Sequence, residues 1–140
     1  MTKARDIMTP NPEIVSIDVS VAEAAKTMAQ KNIGAATICN TEGRLQGMLT
    51  DRDIVTKVIA AGKDPAQTKV GEVAQGTEVV TIGADDSIEE ALQTMKTHKV
   101  RRLPVIDGDR VIGMVSQGDV AQNVPHDQVG ALVEAISAAP

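Results

Sequence analysis

Two stretches of identical spacing hold the residues best suited to chemistry. Gly47-Met48-Leu49-Thr50-Asp51-Arg52-Asp53 and Gly113-Met114-Val115-Ser116-Gln117-Gly118-Asp119 both read G-x-x-[ST]-x-x-D, each where an extended apolar run gives way to a helical pattern. A hydroxyl at Thr50 or Ser116 would open the helix, beside free backbone N–H groups that favour a phosphate. Three residues on, the carboxylate of Asp53 or Asp119 falls on the same helical face and can accept two hydrogen bonds from a vicinal diol such as a ribose. The same spacing also serves as a plain helix cap. One copy would not separate these readings; two copies at matching places, each opening with Gly and two apolar residues, favour ligand binding.

Beside the second motif lies a cationic run, His98-Lys99-Val100-Arg101-Arg102, whose counterparts in the first copy are Lys31-Asn32-Ile33-Gly34-Ala35. A guanidinium from Arg101 or Arg102 could clamp a polyphosphate, or both could be solvated strand-end charges. His98 reads as a cation at a helix C-terminus. Ile33 and Val100 complete the candidate ligand-binding set, because a chain with no Phe, Tyr or Trp must hold an adenine between aliphatic side chains and backbone. Asp51 adds a carboxylate to the first motif where the second has Gln117, which predicts unequal affinities at the two places.

Other chemistry finds little support. Gly62-Lys63 is followed by Asp64, so no phosphate-binding G-x-x-x-x-G-K-[ST] loop is present, and G-x-G-x-x-G, H-E-x-x-H and G-x-S-x-G are also missing. No catalytic residues are assigned, no enzymatic activity is expected, and no obligatory cofactor is called for. Cys39, His98 and His126 lack ligand-like spacing, so no metal site is expected. Cys39 has no intrachain partner and reads as a buried strand thiol. With 14 basic and 19 acidic residues the net charge is -5, the wrong sign for gripping a nucleic acid. No apolar stretch approaches the roughly 20 residues of a membrane span, and Met1-Thr2-Lys3-Ala4-Arg5-Asp6 lacks the apolar segment of a secretory leader, so a cytoplasmic location is expected.

The elements that position the motifs come from an internal repeat. Ser20, Glu23, Ala24, Thr27 and Met28 recur as Ser87, Glu90, Ala91, Thr94 and Met95, and Arg44, Gly47, Met48 and Asp53 recur as Arg110, Gly113, Met114 and Asp119, with the offset shorter by one. Thr2-Lys3-Ala4-Arg5-Asp6-Ile7-Met8 likewise resembles Thr68-Lys69-Val70-Gly71-Glu72-Val73-Ala74. Each copy opens on an extended segment, 13–17 or 78–82. A helix follows, N-capped by Ser20 or Ser87 with Glu three residues on and ending near Lys31 or His98. Hairpin strands come next at 33–39 and 44–49, or 100–106 and 110–115. The last helix starts at Asp51 or Gln117; it runs to about Ala61 in the first copy and is interrupted by Pro125 in the second. Met8, Met28, Met48, Met95 and Met114 serve as core filler. The predicted organisation is repeat 1 at 1–62, a linker at 63–67, repeat 2 at 68–127 and a helical tail at 128–140 that docks on the module or on a second chain. This is a mixed α/β (α+β) chain whose two β-α-β-β-α repeats are expected to pack about a pseudo-two-fold axis, with a cleft between them.

In both motifs, the paired hairpins, and the opening Arg5-Asp6-Ile7-Met8 followed by Pro10, the sequence resembles the tandem cystathionine-β-synthase (CBS) domain family over nearly its whole length. The resemblance implies a Bateman module, commonly dimeric, that binds AMP, ADP, ATP, S-adenosylmethionine or sometimes NAD and regulates an attached or partner protein. It further implies that Asp53 and Asp119 hold the ribose, that Thr50 and Ser116 touch phosphate or ribose, and that basic residues such as Arg101 and Arg102 lie at the phosphates. Arg5, Asp6 and the final helices are expected to contribute to a surface that an unidentified partner reads. The rival expectation is a scaffold in which the duplicated fold serves only dimerisation and the motifs are helix caps.

Overall fold

The computed structural model describes residues 1–74 and 79–138, so the expected strand start at Glu78 lies outside the described residues. The chain forms two compact units, one of Glu13–Val79 and one of Met1–Pro12 with Val80–Pro140. Each contains a mixed sheet and its own apolar core.

In the unit of Glu13–Val79, β2 (Ile14–Ser16) lies parallel to β3 (Ala35–Cys39), and β3 pairs antiparallel with β4 (Leu45–Thr50). Parallel neighbours need a crossover, and α2 (Val21–Lys31) supplies it. Ser20 caps this helix by accepting a hydrogen bond from the Glu23 backbone N–H at 3.1 Å, and Asn32 ends it in the left-handed region at φ 53°. Val21, Ala24 and Met28, spaced at helical period, bury against Val15, Ala36, Ile38 and Leu49 of the strands. In the hairpin turn, the Asn40 side-chain oxygen accepts from the N–H groups of Glu42 and Arg44 at 2.9 and 3.0 Å, while Gly43 takes φ +81°.

The other unit repeats this plan. β5 (Ile82–Gly83) lies parallel to β6 (Arg102–Asp107), β6 pairs antiparallel with β7 (Arg110–Ser116), and α5 (Ile88–His98) connects β5 to β6. Ser87 caps α5 through the Glu90 N–H at 3.1 Å, and Lys99 ends it at φ 54°. A fourth strand, β1 (Thr9–Pro10), comes from the start of the chain and pairs with β7, completing the order β1-β7-β6-β5.

The segments that open the two repeats are short helices, α1 (Ala4–Ile7) and α4 (Val70–Ala74), and each belongs to the unit built mainly from the other repeat. The N–H groups of Ala4 and Arg5 bond the carbonyls of Asp86 and Ala84, and Ile88 bonds Thr2. In the same pattern Val70 and Gly71 bond the carbonyls of Val19 and Ile17, and Val21 bonds Thr68. Backbone pairing therefore exchanges the opening segments, and the compact units cut across the sequence repeats.

Two helices differ from expectation. The helix that opens as α3 (Asp51–Asp53) continues as a π-helix over Ile54–Ile59, with Ala60 bonding Val55 at 2.8 Å and Lys63 bonding Val58 at 2.9 Å. The β-branched run Ile54-Val55-Thr56 is a poor α-helix former, and the wider turn buries Val58 while leaving Val55 and Ile59 exposed. In the second repeat α6 (Gln117–Ala121) ends before Pro125, which does not merely interrupt a helix. It is the N-cap of a new one, α7 (His126–Ser137), where the missing N–H costs nothing. Through Leu132 and Ile136 the tail docks on the core of its own unit, beside α5. No helix among the described residues is long and apolar enough to cross a membrane.

Candidate functional site

Both motifs fold into the same strand-to-helix turn. The Thr50 hydroxyl accepts from the Asp53 N–H at 3.1 Å, and the Asp53 carboxylate accepts from the Thr50 N–H at 3.1 Å. Ser116 and Asp119 repeat the exchange at 3.1 and 2.9 Å. These are complete reciprocal capping boxes. Ser20 and Ser87, by contrast, each form only the half in which the serine oxygen accepts. A capping carboxylate is not exhausted, since its two oxygens offer about four acceptor sites and the cap uses one.

The two turns differ in their surroundings. The second oxygen of Asp53 lies 3.5 Å from the Lys57 ammonium, four residues along the helix. Asp119 has no such cation, because Asn123 stands at the matching place and donates to the Asp119 backbone carbonyl at 2.7 Å. The i,i+4 spacing of Asp53 and Lys57 was a signal available in the sequence that the motif-centred reading passed over.

Hydrogen bonding ties the cationic run to the second turn. The Gln117 N–H donates to the Arg101 carbonyl at 2.9 Å, as Asp51 does to Gly34 at 3.0 Å, and Arg102 is in register with Ser116 as Ala35 is with Thr50. Arg101 and Arg102 are therefore brought to the motif, both are exposed, and neither forms an ion pair among the described residues. Ile33 and Val100 follow the left-handed helix ends and pack, half-buried, on the cores of their units. His98 occupies the last turn of α5.

The motif glycines have a packing role that spacing alone did not disclose. A Cβ at Gly47 would lie 2.8 Å from the Ala74 methyl on α4, and one at Gly113 would meet Met8 at 2.3 Å and the Thr9 carbonyl at 2.9 Å. Glycine is required because the exchanged opening segment crosses the strand there.

Outside the turns, Arg5 pairs with Asp85 at 2.9 Å and Asp107 at 3.5 Å, with Lys3 also 3.5 Å from Asp85. Asp6 accepts from the Lys3 N–H at 2.8 Å. Arg5 thus ties the opening segment to Asp85 and Asp107, while Asp6 closes a local bond at the start of α1. The hydrogen bond from Arg5 holds the Asp85 carboxyl below its ordinary value, and the same contact raises Arg5. Cys39 is a free, buried thiol whose pKa burial pushes up. No group of three His, Cys, Asp or Glu side chains that could hold a metal occurs among the described residues.

A sheet, crossover helix, hairpin and capped turn that occur twice define a duplicated α+β domain. Residues 4–60 and 70–126 each match the CBS domain, and the chain belongs to that family. Hypoxic response protein 1 of Mycobacterium tuberculosis is 43% identical over 97% of this chain and 94% of its own length. CBS domain-containing protein YhcV of Bacillus subtilis is 40% identical over 98% of this chain and 96% of its own. The crystal structure of hypoxic response protein I with two coordinated zinc ions superposes with a TM-score of 0.81 at 44% identity, covering 89% of this chain and all of that one. CBSX2 in complex with AMP shares the fold at a TM-score of 0.72 and 23% identity, over 87% of this chain and 95% of that one.

Proposed function

We propose that this CBS pair is a non-catalytic regulatory module that binds an adenosine nucleotide, AMP, ADP or ATP, and passes its occupancy to a homodimer or partner surface. The observation that carries this reading is the duplicated turn. Asp53 and Asp119 stand in identical reciprocal caps with acceptor capacity left for a ribose diol, and a free basic strand end, Arg101-Arg102, adjoins the second. AMP in the solved CBSX2 complex supports the ligand class. Thr50 and Ser116 contact phosphate or ribose in this reading, and Ile33 and Val100 flank the base. S-adenosylmethionine or NAD would suit the same diol contact. The zinc ions are a feature of the hypoxic response protein structure, and the nucleotide reading does not call on a metal.

Completion of both capping boxes favours one rival reading, a ligand-independent scaffold. Truncation to alanine would break a cap costing about 1 kcal/mol as well as any ligand contact. Asp53→Asn and Asp119→Asn avoid this confusion, since the amide oxygen can still accept from the cap N–H while the charge offered to a diol is lost. Calorimetric titration with AMP and ATP should show binding to the unsubstituted protein and at least tenfold weaker binding to the double variant at nearly unchanged thermal stability. Equal binding by both proteins would move the site elsewhere, and absence of binding by either would leave the scaffold.

A further inference from the structure

We propose that Lys57 weakens the hold of the first turn on a ribose diol, so that the second turn fills before it. The inference rests on the reading above and assigns the difference to a residue outside both motifs. Each oxygen of Asp53 has a neighbour. Oδ2 accepts the cap bond from the Thr50 N–H at 3.1 Å, and Oδ1 lies 3.5 Å from the Lys57 ammonium. At Asp119 the cap bond at 2.9 Å engages Oδ2, and no cation stands within ion-pair distance of the carboxylate among the described residues.

The side chains of Asp53 and Lys57 are 23% and 46% exposed, so the pair is open to solvent and to a ligand arriving from it. A diol and an ammonium both donate hydrogen bonds to a carboxylate and compete for the same lone pairs. The ammonium also offsets part of the charge that strengthens a hydroxyl's bond to the carboxylate. An exposed pair four residues apart on a helix is weak, so a diol can displace it, and the affinity falls by the fraction of Asp53 left unpaired, about threefold. In the second repeat Asn123 stands at the matching place, donates to the Asp119 backbone carbonyl at 2.7 Å and leaves the carboxylate to the ligand.

Asp51 also sets the first turn apart, but its charge repels a ligand's phosphate rather than a neutral diol. Adenosine, which has the diol and no phosphate, therefore isolates the effect of Lys57.

The test is calorimetric titration of AMP and of adenosine into the protein carrying Asp119→Asn, which weakens the second turn, with Lys57, Lys57→Asn or Lys57→Arg. Lys57→Asn should bind adenosine about threefold more tightly than the Lys57 protein, and Lys57→Arg, which keeps a cation, should show no such gain. Raising sodium chloride from about 0.1 M to about 1 M should narrow the gap by screening the pair, tightening adenosine on the Lys57 protein and leaving Lys57→Asn unchanged. Adenosine bound no more tightly by Lys57→Asn, a gain shared by Lys57→Arg, or a gap that salt leaves untouched would overturn the assignment. Loss of all AMP binding with Asp119→Asn alone would also overturn it, while nucleotide binding by the unsubstituted chain still stands. If the unsubstituted chain fails to bind AMP, the parent reading fails and this inference with it.

Discussion

At Asp53 and Asp119 the proposed reading gives one side chain two purposes. Each carboxylate closes a helix cap, which fixes its position before any ligand arrives, and preorganisation of this kind lowers the entropy cost of binding. The pairing of Asp53 with Lys57, the extra carboxylate of Asp51 and the free Arg101-Arg102 at the other turn all distinguish the two places. Cys39 offers a separate check at this scale. A thiol that is buried and raised in pKa should resist a disulfide reagent in the folded protein and react fully in denaturant, whereas rapid labelling of the native chain would place it at the surface. The motif residues and the burial of Cys39 were legible from spacing and apolar context. The buried, unpartnered hydroxyl of Thr37 was not, because a threonine inside an apolar run looks like any strand former until its partners can be counted.

The helices and strands follow local rules closely. Ser20 and Ser87 start α2 and α5, and those helices end at Lys31 and His98, where capping spacing and apolar period place them. The π-helical stretch and the start of α7 just after Pro125 were harder to read, since both depend on which side chains the core accepts. Least visible was the destination of the opening segments. Ala4–Ile7 and Val70–Ala74 resemble one another in sequence, but nothing local says which sheet each will cross. Their close approach makes a prediction at the motif glycines. Gly47→Ala and Gly113→Ala should each cost about 1–3 kcal/mol in chemical denaturation, through contact with Ala74 and with the Met8-Thr9 segment. An unchanged midpoint for both would show that the segments do not press on the strands.

Across the whole molecule, duplication was legible in the sequence, whereas the allotment of residues 1–12 to the unit containing 80–140 was not, because it depends on long-range pairing. Arg5, Lys3, Asp85 and Asp107 tie those distant stretches together. Asp85 has a lowered pKa in the folded chain, so its stabilising contribution is present above the ordinary carboxylate value and fades as pH falls through the lowered one. Asp85→Asn should therefore reduce stability at neutral pH and flatten the acid end of the stability profile, a change that equilibrium unfolding from pH 7 to pH 2 would register. A profile parallel to that of the unsubstituted chain would mean the pair carries no linkage.

The central claim concerns ligand binding, and dye-based thermal unfolding addresses it directly in a chain without tryptophan. AMP, ADP, ATP, S-adenosylmethionine and NAD would be compared at equal concentration. A ligand present at about a hundred times its dissociation constant adds about 2.7 kcal/mol and should raise the melting temperature by several degrees. The account predicts such a rise with at least one adenosine nucleotide, diminished by Asp53→Asn and Asp119→Asn together; an unmoved transition with all five would contradict it.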